Sequence, residues 1–190
     1  MTTEPTAVPA PAPAPAPALT PAPATVFTTM ESPLGTLLLS GVLGPDGGCA
    51  LSTVTAPGQK GALAAPAAHW RPDADALAPA VDQLTAYFAG ARTSFDLPLA
   101  PVGTPFRQRI WDALNDIPYG TTLTYGQLAD VAGQSPRAVR AVGGAVGANP
   151  LLIVRPCHRV MGANGSLTGF AAGIDAKRWL LAHESGDRLF

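Results

Sequence analysis

The sequence predicts an α/β chain in two parts: a strand-rich N-terminal unit with one covering helix, and a mainly helical C-terminal unit. Three observations predict it. Short apolar runs separated by turn residues occupy the chain before about residue 56, a helical period follows, and after residue 103 helix starts of the cap-plus-proline kind recur. The 190 residues suffice for two small domains. A composition of 47% hydrophobic and 13% charged residues is that of a globular protein.

Residues 1–25 are an Ala-Pro tract, whose prolines remove backbone donors and favour extended conformations without a packed core. The tract reads as a disordered tail, with docking to a partner as the minority reading. Residues 26–100 form the expected N-terminal domain. Strands are predicted near Phe27, over Gly35–Leu39 and over Ala50–Val54, with Pro33, Pro45 and Gly47-Gly48 as turns. Cys49 opens the last run and is expected simply to pack. Leu77, Val81, Leu84 and Phe88 then fall at helical spacing, and Gly90 ends the helix.

Residues 101–190 form the second domain. Thr104-Pro105 is a cap followed by proline, and Phe106, Ile110 and Leu114 mark the buried stripe before Pro118 and Gly120. Residues 121–125 read as extended, and a short helix spans Gln127–Ala132. Ser135-Pro136 then starts a helix running to about Ala148. Two helices joined by a turn at Gly133 make a helix-turn-helix candidate, a weak signal by itself. In the second helix Val139, Val142 and Val146 share the core face, while Arg137, Arg140, Gly144 and Gly147 lie roughly opposite. Gly143-Gly144 inside a helix costs on the order of 1 kcal/mol per glycine. Close approach of a partner and tight packing on another helix both account for it.

Charge divides unevenly. Residues 1–100 hold 3 Lys/Arg against 7 Asp/Glu, and residues 101–190 hold 9 against 6. This excess weakly favours a nucleic-acid surface in the second half. Two cysteines are too few for a disulfide framework or an all-cysteine zinc site. The acidic, proline-broken start is not expected to be a signal peptide, and no run is long enough for a membrane span. A cytoplasmic location with reduced thiols is expected.

Leu151–Val154 is a short apolar run with the look of a buried strand, delivering Cys157 into Arg155-Pro156-Cys157-His158-Arg159. Two readings of Cys157 stand on local features: a small buried apolar residue, or a thiolate favoured by nearby His158 and Arg159. Neighbours on an extended chain point apart, so His158 needs a bridging water or a local turn to reach the sulfur. Asn164-Gly165 marks a turn, and a last helix is predicted from a cap at Asp175 to Gly186, anchored by Trp179 and Leu180. Glu184 in its final turn is disfavoured by the helix dipole. A cation such as His158 or Arg159 would compensate, although a solvated surface glutamate is the plainer reading.

The motif PCHRV, Pro156 to Val160, together with GTPFRQRIWDALNDIPYGTTLTYGQLA, RAVGGAVGANP, GANGSLTGF and KRWLLAHE, resembles the O6-alkylguanine-DNA alkyltransferases. These are also called methylated-DNA–protein-cysteine methyltransferases. The resemblance runs from about Val26 to the C-terminus and implies a ribonuclease H-like N-terminal domain before a winged helix-turn-helix-like one. It implies repair of O6-alkylguanine in double-stranded DNA by irreversible transfer of the alkyl group to Cys157. His158 would take the thiol proton through a water, Glu184 would orient His158, and Asn149 would tie the recognition helix to the active-site turn. Tyr125 would support and protonate the guanine, and Arg140 would fill the gap left by the extruded nucleotide. Arg137, Ala141, Gly144 and Arg159 join the expected DNA-binding set, and Phe170, Ala171 and Ala172 the substrate pocket. No metal or organic cofactor is implied, and a monomer is expected.

This chain departs from the pattern at Phe170, where tyrosine is common, at Ala171-Ala172-Gly173, and at Arg155, which replaces an apolar residue and would either reach DNA or pair with an acid. Two rival functions remain: a non-catalytic alkyltransferase-like damage-binding protein, against which Cys157 argues, and a Cys-His hydrolase that turns over.

Overall fold

The computed structural model describes residues 24–62 and 65–186. The Ala-Pro tail therefore lies outside the described residues, apart from Ala24 and Thr25. Strands β1 (Thr25–Met30), β2 (Leu37–Leu43) and β3 (Cys49–Thr55) form an antiparallel meander. A two-residue β4 (Arg71–Pro72), missed in the Gly/Pro-rich connection, pairs parallel to β1 and completes the order β3-β2-β1-β4. Alternation along β1 buries Val26 and Met30, and every residue of Leu37–Gly41 is buried in β2, which is flanked by β1 and β3. Helix α1 (Ala74–Phe88), capped by Asp73, buries Leu77, Ala80, Leu84 and Tyr87. Val81 and Phe88, expected in that stripe, are half-buried at its edge.

In the second unit α2 (Pro105–Leu114) starts on Thr104, whose hydroxyl accepts from the Arg107 N–H. Phe106 is only half-buried; Trp111 does more, burying its ring and donating its indole N–H to the Ala145 carbonyl at 2.8 Å. Strand β5 (Leu123–Thr124) leads into α3 (Tyr125–Val131) through a capping box of Thr124 and Gln127. Gly133 turns the chain with φ of 64°. Ser135 caps a 3-10 turn, Pro136–Ala138, before α4 (Val139–Gly147), so the second helix begins later than the proline suggests. A 3-10 turn at Cys157–Arg159, strand β6 (Val160–Met161, parallel to β5) and α5 (Ile174–Ser185) complete the chain. The cap of α5 is Gly173, not Asp175; Asp175 sits in the first turn and pairs with Arg178 at 2.7 Å.

The buried run Leu151–Val154 is not a strand. Leu151 makes one parallel bridge to Val54 of β3, after which Ile153 takes φ of 71° and reverses the chain. A β-branched residue there is strained by on the order of 1–3 kcal/mol. Hydrophobic packing holds it, since Ile153 is buried in the single core that joins both units. No helix among the described residues is long and apolar enough to cross a membrane.

Candidate active site

The turn after α4 is built by one side chain. Asn149, buried, donates its amide to the carbonyls of Arg155 (2.8 Å) and Leu151 (3.3 Å), and accepts from the Leu151 N–H (3.1 Å). These bonds replace the partner strand that the apolar run lacks. The Arg155 carbonyl also receives the Cys157 N–H at 2.8 Å, so Asn149 and Cys157 are tied to one atom.

Cys157 is 5% exposed and His158 0%. Burial pushes the Cys157 thiol up to about 11, against the opposing effects of the Asn149 amide, the Lys177 charge and the N–H groups of Cys157 and His158. The buried thiol is therefore masked, and would need a base to ionise.

The neighbouring His158 has the hydrogen bonding that a base requires. Its Nε2 lies 2.7 Å from Glu184 Oε1, and its Nδ1 is buried without a protein partner. A carboxylate only accepts, so Nε2 carries the proton and Nδ1 keeps a free lone pair. Burial, outweighing the attraction of Glu184, lowers the His158 pKa and keeps the ring neutral. Burial alone would raise the pKa of Glu184, but hydrogen bonds from His158 and Arg159 hold it well below the usual carboxylate range.

Glu184 is 5% exposed, so the solvated surface reading fails. It accepts from His158, from the Tyr87 hydroxyl at 2.8 Å, from Arg159 Nε at 2.7 Å and Nη2 at 2.9 Å, and from the Gly120 N–H at 3.3 Å. Arg159 also donates to the Ile117 carbonyl at 2.6 Å and is buried. Its guanidinium is thus consumed inside the protein, which removes Arg159 from the DNA-binding set. Arg155, itself buried, pairs with the exposed Asp112 at 2.9 Å.

Two participants escaped the sequence reading. Tyr87 reaches Glu184 from the N-terminal unit; a tyrosine on a buried helical stripe needs a hydroxyl partner, and that was the available signal. Lys177 is fully buried, donating Nζ to the carbonyls of Val160 and Thr168. A lysine one turn into an amphipathic helix carries no sequence mark of burial.

Tyr125 opens α3, half-buried, with its hydroxyl donating to the carbonyls of Thr168 (3.1 Å) and Gly169 (3.4 Å). Burial, then the proximity of Cys157, raises its pKa, so it keeps its proton. Gly143 faces its ring: a Cβ there would meet Tyr125 carbons at 3.8 Å. Phe170 is buried, Ala171 and Ala172 half-buried. On α4 the residues Arg140, Ala141 and Gly144 are exposed, as is Arg137 in the preceding turn, while Val142, Ala145 and Val146 are buried and Val139 half-buried. The helix thus presents a narrow face of arginine and small side chains. Among the described residues no cluster of His, Cys, Asp or Glu is placed to hold a metal ion.

Comparison with known proteins agrees with this geometry. Residues 25–101 match the 6-O-methylguanine DNA methyltransferase ribonuclease-like domain, and residues 105–186 the DNA-binding domain of the same family. The methylated-DNA–protein-cysteine methyltransferase of Mycobacterium bovis is 48% identical over 158 residues, covering 83% of this chain and 91% of that protein. The protein of that name from Methanosarcina acetivorans is 46% identical, covering 83% and 97%. The crystal structure of the Mycobacterium tuberculosis OGT in complex with DNA superposes with a TM-score of 0.76 at 47% identity, covering 85% of this chain and 93% of that one. With both domain models matched in order along nearly the whole described chain, the protein belongs to the 6-O-methylguanine DNA methyltransferase family.

Proposed function

We propose that the chain repairs alkylated DNA by moving the alkyl group from guanine O6 onto Cys157, once per molecule. The observation that carries this reading is the buried thiol beside a histidine whose Nε2–H is fixed on Glu184 and whose Nδ1 lone pair is free. Through a bridging water, His158 Nδ1 accepts the thiol proton, and Glu184 stabilises the imidazolium. The sulfur attacks the alkyl carbon as its bond to O6 breaks. Tyr125 donates its proton to the departing guanine and regains one, through water, from the His158 imidazolium, so the net transfer is of the thiol proton to guanine. A thioether is a poor leaving group, so the cysteine is not regenerated.

O6 is inaccessible in a stacked duplex, and flipping the base costs a few kcal/mol. Arg140, projecting from the middle of α4, fills the gap, while Ala141 and Gly144 allow the helix into the narrow minor groove and Arg137 meets phosphate. Phe170, Ala171 and Ala172 wall the pocket. The thiol chemistry requires a reducing compartment, which supports a cytoplasmic location. Cys157→Ala is expected to keep lesion binding and lose transfer; gel-shift and transfer assays on one O6-methylguanine duplex check this, and residual transfer would remove Cys157 as acceptor.

A further inference from the structure

A cleft of about 470 Å³ lies between the exposed glycine face of α4 and the N-terminal sheet. Gly144 and Gly147 form its α4 wall, Thr53 and Trp70 belong to the opposite side, and Lys60 and Arg107 supply its charges. No acid lines it. Both cations are exposed, and among the described residues neither is in an ion pair, whereas Arg71 pairs with Asp73, Arg155 with Asp112 and Arg178 with Asp175. Lys60 is one of only 3 Lys/Arg in the acidic residues 1–100, so its place there runs against composition.

Lys60 is also held in place. The Gln59 side chain accepts from the Ala56 N–H at 3.1 Å, and the Lys60 N–H donates to the Ala171 carbonyl at 2.9 Å. The loop is therefore braced against the segment that walls the substrate pocket. Arg107 stands in the first turn of α2, its N–H capped by Thr104. A helix lying in a minor groove has a sugar-phosphate backbone along each side. The cleft begins where the α4 glycines end, and it offers two unpaired cations on a fixed frame with an indole wall.

We propose that this cleft receives the DNA backbone beside the minor groove entered by α4, so that the footprint on DNA includes the N-terminal unit through Lys60. The proposal rests on the DNA-repair reading above. Sequence-independent phosphate contact suits it, since the charges lie on a cleft wall and not on the helix face that meets bases.

The test is the salt dependence of binding to an undamaged duplex by wild type, Lys60→Ala, Arg107→Ala and the double variant. Each substitution should reduce the slope of log K against log salt by about 0.9, with additive effects. Lys60→Arg and Arg107→Lys should restore it. An unchanged slope in the double variant overturns the proposal. So does a loss of transfer from free O6-benzylguanine equal to the loss from duplex, which would mean a damaged pocket. If wild type shows no salt-dependent duplex binding at all, the DNA reading itself falls with it.

Discussion

Glu184 decides how His158 behaves. By accepting from Nε2 it fixes the tautomer that leaves Nδ1 basic, and His158 together with Arg159 keeps it ionised. Both groups are shifted down from their ordinary values of 6.5 for His158 and 4.5 for Glu184. A lowered folded value means that the unfolded chain takes up the proton first. Their contribution to stability is therefore whole above those values, begins to fall below 6.5 for His158 and below 4.5 for Glu184, and is lost only as pH passes each lower folded value. The His158 ring keeps its neutral form to more acid pH than a free imidazole does. The rate constant for O6-benzylguanine should hold from neutral pH down past 6.5 and fall only in more acid solution, while urea-denaturation midpoints decline earlier. A rate that halves at the ordinary imidazole value would mean a solvated histidine. Little of this was legible locally: the residues of PCHRV suggested a thiolate, whereas Cys157 is a masked thiol, and only the family resemblance joined it to Glu184.

At the scale of elements, helix starts were the most readable features. Thr104 and Ser135, each followed by proline, do cap helical turns, whereas the cap at Thr124 lay hidden in a stretch read as extended. The segment Leu151–Val154 was the least readable. Four apolar residues in a row signal burial but not conformation, and the distinction was made by the amide of Asn149 two residues upstream. Asp175 misled for a related reason: Gly173 at φ of 94° starts α5 where an L side chain would be strained. The narrow face of α4 carries a prediction of its own. Arg140→Ala should slow repair of duplex O6-methylguanine by on the order of tenfold, the loss of ~1.4 kcal/mol of help with flipping. Free O6-benzylguanine, needing no flipping, should be affected less in stopped-flow or quench assays; equal losses on both would refute the assignment of Arg140 to the duplex.

Across the whole molecule, the two units share one core and one hydrogen-bond network around Glu184. Residues 26–100 carried no sequence sign of chemistry, yet Tyr87 on α1 donates to the carboxylate that orients His158. Tyr87→Phe should lower unfolding free energy by about 1–2 kcal/mol in urea titrations, as for a hydrogen bond to a charged acceptor that keeps other donors. An unchanged stability would mean that the N-terminal unit only covers the site. Two domains were foreseeable from the change of pattern near residue 100; their joint hold on Glu184 was not, because it depends on contacts 97 residues apart. The central claim is that Cys157 accepts one alkyl group and is then spent. Intact-mass and peptide analysis of the protein incubated with excess O6-methylguanine duplex tests it most directly. The account predicts one methyl group per molecule, on the Cys157 peptide, and one repaired guanine per protein. An unmodified Cys157 peptide, or more repaired guanine than protein, would contradict it.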